Sequence, residues 1–98
     1  MRVYKYPFTI VTNGGTGSVN TLKVVGGQLG HMFVNAPSSG VVFKFNIIDD
    51  CGNIIRAYDF TTGQINDSSI LIVSGMHTLQ VTNASSDGNF TGLFVIRE

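Results

Sequence analysis

Apolar and polar positions alternate along most of the chain. The clearest run is Val41 to Asp49, in which Val41, Phe43, Phe45 and Ile47 share one side and Val42, Lys44, Asn46 and Ile48 the other. Successive side chains of a strand point to opposite faces, so a period of two predicts a β-strand with its aromatic rings turned inward. Asp49-Asp50-Cys51-Gly52-Asn53 supplies turn residues, and Ile54 to Phe60 reads as the returning arm of a hairpin. Val3 to Val11 predicts the first strand, with Tyr4, Tyr6, Phe8 and Ile10 on one face against Lys5, Pro7 and Thr9. Pro7 has no N–H to give to a ladder, which places that strand at a sheet edge.

The remaining elements follow from turn signals. Thr12 to Gly17, with three glycines, is a turn. Val19 to Val25 is a second strand, broken by Gly26-Gly27, and Leu29 to Val34 a third, followed by the loop Asn35 to Gly40. The polar stretch Thr61 to Asp67 reads as a loop, and Ile70 to Val73 as a short strand ended by Ser74-Gly75. Met76 to Thr82 places His77, Leu79 and Val81 on one face. Asn83 to Asn89 is a long turn. Phe90 to Arg97 closes the chain with Phe90, Phe94 and Ile96 on one face and Leu93 and Val95 on the other. Being apolar on both faces, this last strand belongs in the middle of a sheet or against another subunit.

About eight strands with turns every 8–12 residues predict an all-β fold. The expected architecture is one compact β-sandwich over residues 1–98, Ig-like or jelly-roll-like, or a small barrel of antiparallel strands. Composition agrees: Val occurs 11 times, Ile and Thr nine times each and Gly 12 times, whereas Leu occurs five times and Glu once. Strong helix formers are scarce, and β-branched and turn-forming residues dominate.

Charge narrows the function classes. Only 12% of residues are charged and the formal net charge is zero, so nothing electrostatic points to nucleic acid or an anionic membrane. No apolar run approaches the ~20 residues of a membrane helix. The opening residues Met1 to Pro7 carry charge with no apolar stretch after them, which does not predict a secretory signal. Few charges in a strand-rich chain also mean few guards on sheet edges, so the edges are expected to be covered within the fold or by neighbours in an assembly.

Candidate chemistry is thin. Asp49, Asp50, Asn53 and Asp59 could offer oxygens to calcium, but a hairpin needs the same residue types and no Glu stands nearby. His31, His77 and Cys51 are too scattered for a zinc motif and show no base-and-orienter pattern. No catalytic residue, metal or cofactor is therefore expected, and the chain does not read as an enzyme. Gly14-Gly15-Thr16-Gly17 lacks the Lys-Ser/Thr of a phosphate loop. Asn66-Asp67-Ser68, Asn83-Ala84-Ser85 and Asn89-Phe90-Thr91 fit the N-glycosylation pattern but read as polar turns. The aromatic row on alternate positions reads as core, with sugar stacking as its rival.

Three segments resemble the small all-β virion proteins of tailed bacteriophages, capsid decoration or cement proteins in particular. They are the opening strand and glycine turn, Tyr6 to Gly15, and a middle block of Gly27 to His31 with Val41 to Asn53, whose apolar strand ends in an Asp-x-x-Gly turn. The third is the ending, Met76 to Asn83 and Gly88 to Glu98. The resemblance implies a structural protein on the capsid surface of a virion, made in the host cytoplasm. It also implies a homo-oligomer, a trimer by preference, that binds the major capsid protein or other virion proteins. Many cement proteins grip the shell with a long N-terminal arm that is not evident here, so a head–tail connector or tail component stands as an alternative. Doubled apolar faces single out Tyr4, Tyr6, Phe8, Phe90, Leu93 and Val95 as the expected protein interface. A rival of a different class is a carbohydrate-binding module or lectin using Tyr58 and the Asp50 turn at one end of the sandwich.

Overall fold

A computed structural model describes residues 3–20, 28–72 and 75–97. Eight strands form two four-stranded sheets: β1 (Val3–Val11), β2 (Gly17–Asn20), β3 (Gln28–Asn35), β4 (Val42–Ile48), β5 (Ile54–Thr62), β6 (Gln64–Ile72), β7 (Thr78–Thr82) and β8 (Asn89–Arg97). One sheet runs β1-β8-β3-β6 and the other β2-β7-β4-β5, with every pairing antiparallel. The strands pair as β1 with β8, β2 with β7, β3 with β6 and β4 with β5, so the chain is one long antiparallel ribbon folded at the β4–β5 hairpin and rolled up. Further pairing of β3 with β8 and β4 with β7 closes the roll. This is jelly-roll topology, which decides between the sandwich types that the strand pattern left open.

The alternating residues of β4 set the core. Phe43, Phe45 and Ile47 are fully buried and Val42, Lys44, Asn46 and Ile48 are not. Facing them are Ile10 of β1, Met32 and Val34 of β3, and Phe90, Phe94 and Ile96 of β8. Phe43 and Phe90 meet edge to face with ring centroids 5.0 Å apart, the arrangement that the ring quadrupole favours. Leu79, Val81 and His77 are all buried, as their shared face requires.

The edge position of β1 and the central position of β8 follow the expectations from Pro7 and from the doubled apolar faces. One element differs from expectation. Residues 61–67 are not a loop: β5 runs on through Thr62, Gly63 turns at φ +79°, and β6 starts at Gln64. Ile70 is simply the second half of that strand. Backbone pairing with β3 and the buried Ile65 and Ile70 hold β6 in place, and the polar residues between and around them hid its first half. A register shift between Gly30 and Met32 breaks the ladder there. The expected strand residues 21–25, the Gly26-Gly27 break, and Val73 and Ser74 lie outside the described residues.

Candidate functional site

The six residues expected at a protein interface do not form one surface. Phe90 is fully buried and packs on Phe43, so it offers nothing to a partner. Val95 is 7% exposed. The inward direction of Phe90 is a correction to the interface expectation: its side of β8 faces the opposite sheet, which consumes it. Leu93 is half-buried on the outer side of β8. On β1 burial rises along one face, from exposed Tyr4 through half-buried Tyr6 and Phe8 to buried Ile10. The strand therefore leaves the core only at its start, Val3 to Lys5, while Tyr6 and Phe8 still pack against it. Beneath the strand lies a groove of about 190 Å³ between the β1 and β2 edges, lined by Tyr6, Pro7, Phe8, Val19 and Leu79 with Lys5 and Asn20.

The Asp49–Asn53 turn is built from its own carboxylates. Asp49 Oδ1 accepts from the N–H groups of Asn53 at 2.8 Å and Cys51 at 3.0 Å. The bond from the Asn53 N–H holds the Asp49 carboxyl below the usual carboxylate range. Asp49, Asp50 and Cys51 bring three ligand atoms within 4.8 Å, the one such group among the described residues. The turn already uses the Asp49 oxygens, which favours the hairpin reading over a metal site. Cys51 donates its S–H toward Asp50 at 3.6 Å, and that bond and the two neighbouring carboxylates push its thiol pKa up. A raised pKa keeps the sulfur protonated and poorly nucleophilic.

The histidines are separately occupied. His31 Nε2 shares a hydrogen bond with Asn66 Oδ1 at 2.6 Å and the ring stacks on Phe33. His77 is 1% exposed, and burial pushes its pKa down despite the raising effects of the Gly75 backbone and of Asp50 and Asp49. Tyr58, the expected sugar platform, donates its hydroxyl to Asp67 at 2.6 Å. Its half-buried ring packs edge to face on Phe45. It belongs to the side wall of the sandwich and does not join Asp50 in a site.

Sequence reasoning missed Phe60. Phe43 pairs with Thr61 but Phe45 pairs with Tyr58, so Asp59 and Phe60 together oppose Lys44 across a β-bulge. Phe60 takes φ +46°, a conformation that costs a bulky non-glycine residue about 1–3 kcal/mol. The residue is 64% exposed and the Lys44 ammonium sits 4.6 Å from the ring centroid. Strand β4 puts Lys44 on the outer side of its sheet, and Thr62, paired with Val42, continues that side to the end of β5.

An open cavity of about 350 Å³ follows there, between the β3–β4 loop and the β5–β6 turn. Asn35, Ser38, Ser39, Thr62 and Gln64 line it with hydroxyl and amide groups, and none of its lining residues is charged. Its walls are tied together: Ala36 N–H donates to the Gly63 carbonyl at 2.8 Å and Gly63 N–H to the Val41 carbonyl at 2.9 Å. A Cβ at Gly63 would lie 2.8 Å from the Ser39 carbonyl oxygen, so the turn packs too closely for a side chain. The only hint of this place in the sequence is Thr-Thr-Gly-Gln, a tight turn read as part of a loop.

No protein-family profile and no curated protein matches the sequence. Among solved structures, the chain is similar to PliG of Aeromonas hydrophila, a periplasmic lysozyme inhibitor of g-type lysozyme. That match has a TM-score of 0.50 and 19% identity, and covers 97% of this chain and 82% of the other. A carbohydrate-binding module, CBM36 in complex with calcium and xylotriose, matches at TM-score 0.45 and 14% identity, over 97% and 91% of the two chains. The infectious bursal disease virus Gt strain structure matches at TM-score 0.46 and 14% identity over 97% of this chain and 31% of that one. At 19% identity the likeness to the lysozyme inhibitor is one of fold alone, a β-sandwich. None of the three is a phage capsid protein.

Proposed function

We propose that the chain is a structural protein of a phage particle, a capsid cement that works by burying surface. The observation that carries the reading is the open β1 edge. Among the described residues this nine-residue strand pairs on one side only, with β8, and it carries exposed Val3, Tyr4 and Val11 beside an aromatic groove. An edge with a free ladder and apolar side chains recruits another strand or subunit, and aromatic, charge-poor surface is what interface cores use. In this reading a homo-oligomer, a trimer by preference, covers the edges of its own subunits. Its remaining surface then spans joints of the major capsid protein. At about 25 cal/mol per Å² of apolar area removed from water, modest contacts sum over many copies.

The test is gradient sedimentation of a lysate from the native source, probed for this chain. Co-migration with a megadalton particle is expected, together with loss of co-migration in a Tyr4→Lys/Val11→Lys variant. A chain that stays at the top as a monomer overturns the assembly reading. Copy number separates a cement, present many times per particle, from a connector confined to one ring.

A further inference from the structure

We propose that the β5–β6 end of the sandwich is a glycan-binding site, with Phe60 as its stacking platform and the neighbouring polar cavity as its hydroxyl-reading pocket. The inference stands apart from the assembly reading, since it concerns the opposite side of the fold from the β1 edge and is tested on the isolated protein.

Three observations converge on it. The first is the cost at which Phe60 is displayed. A bulge and a left-handed backbone hold its ring out of the core, where alternation within β5 would have allowed a polar residue to face solvent without strain. Lys44 braces the ring at 4.6 Å, and the 64% exposure leaves aromatic surface open. The second is the chemistry of the cavity. Ser38, Ser39 and Thr62 offer hydroxyls and Asn35 and Gln64 offer amides. Each of these groups both donates and accepts, which is the complement of a sugar hydroxyl. The uncharged lining disfavours phosphate-bearing ligands, and the zero net charge of the chain gives nucleic acid no footprint.

The third is placement and rigidity. Thr62 both lines the cavity and follows Phe60 by two residues, about 7 Å along the strand, so that adjacent units of one oligosaccharide can reach platform and cavity. Backbone bonds from Ala36 and Gly63 fix the cavity walls before any ligand arrives, and prior order lowers the cost of binding. In the bound state the apolar C–H face of a pyranose ring lies on Phe60, and hydroxyls of the next unit exchange hydrogen bonds with Thr62, Gln64 and Ser39.

The experiment is amide chemical-shift mapping of the full chain titrated to millimolar concentration with maltotriose, cellotriose, xylotriose and chitotriose in turn. At least one trisaccharide is expected to move the amides of Thr62, Gly63 and Gln64 together with Phe60, leaving the Asp49–Asn53 turn unmoved. Phe60→Gly removes the ring and the backbone strain together, so it should fold with an equal or higher thermal midpoint while the affinity falls at least about tenfold. Gln64→Ala should weaken binding with little change in that midpoint. If none of the four sugars moves these amides, or if binding survives in Phe60→Gly, the proposal is wrong. The assembly reading is untouched by either result.

Discussion

Asp67 ties the two sheets together across one open side of the sandwich. It sits on β6, at the edge of one sheet, and takes hydrogen bonds from Tyr58 at 2.6 Å and Arg56 at 2.9 Å on β5, at the edge of the other. Ser69 adds its hydroxyl at 2.8 Å and its N–H at 3.0 Å. Burial by itself would raise the Asp67 carboxyl, but the bonds from Tyr58 and Ser69 and the Arg56 charge outweigh it and hold the group well below the usual carboxylate range. Burial, reinforced by the Asp67 carboxylate, pushes the Tyr58 phenol up. Charge-assisted hydrogen bonds of this kind contribute about 1.5–3 kcal/mol. Asp67→Asn is therefore expected to lose about 2 kcal/mol in urea unfolding and Tyr58→Phe about 1 kcal/mol. Equal stability of Asp67→Asn and wild type would show that the clip contributes nothing net.

Strand β8 owes its central place to Gly92 as much as to its apolar residues. A Cβ there would collide with the Phe33 carbonyl oxygen on β3 and with the Phe8 ring from β1. The Phe8 ring covers the position that a side chain would fill, joining the edge strand to the middle of its sheet. Gly92→Ala should cost about 1–3 kcal/mol, because the carbonyl belongs to a paired backbone and cannot give way. Trimming the ring in Gly92→Ala/Phe8→Leu should recover only part of the loss, and full recovery would remove the Phe33 carbonyl from the account. Thermal midpoints of the three proteins decide it. β5 shows the opposite situation: an edge strand tolerates two register shifts, and one of them displays Phe60.

Stability of the whole molecule should depend on pH in two steps. His77 is buried in the core and its folded pKa is depressed below 6.5, so the folded state binds the proton less well than the unfolded chain. Its contribution is complete above pH 6.5 and fades as pH falls toward the lowered value. The carboxylates Asp67, Asp49 and Asp87 are likewise depressed, Asp87 by accepting from the Gly15 and Gly14 N–H groups that join the β1–β2 and β7–β8 turns. Their share is present above pH 3.8 and is lost below it. Thermal midpoints taken from pH 8 to pH 3 should thus decline first below pH 6.5 and more steeply below pH 4. In His77→Leu the first decline should vanish and the second remain. A first decline that persists in that variant would assign it to another group.

Alternation along Val41 to Ile48, Pro7 in the first strand and the two apolar faces of Phe90 to Ile96 were enough to predict strands, an edge and a sheet centre, because side-chain period and missing donors are local properties of the chain. The β4–β5 hairpin was legible for the same reason: its turn chemistry is contained in five residues. What the sequence did not disclose depends on long-range pairing. The first half of β6 was hidden because its ladder with β3 is made by backbone groups that every residue carries, whatever its side chain. The jelly-roll order came from pairing β1 with β8, 78 positions apart at Val11 and farther at Val3, no part of which is written near either strand. Phe60 was read as the end of a strand, and only the register of β5 against β4 turned it outward beside Lys44 and the polar cavity. Phe90 was read as available surface, and only the second sheet made it core. Sequence determined which segments extend and which residues seek burial; the packing of one sheet on the other decided which of them remain free to bind.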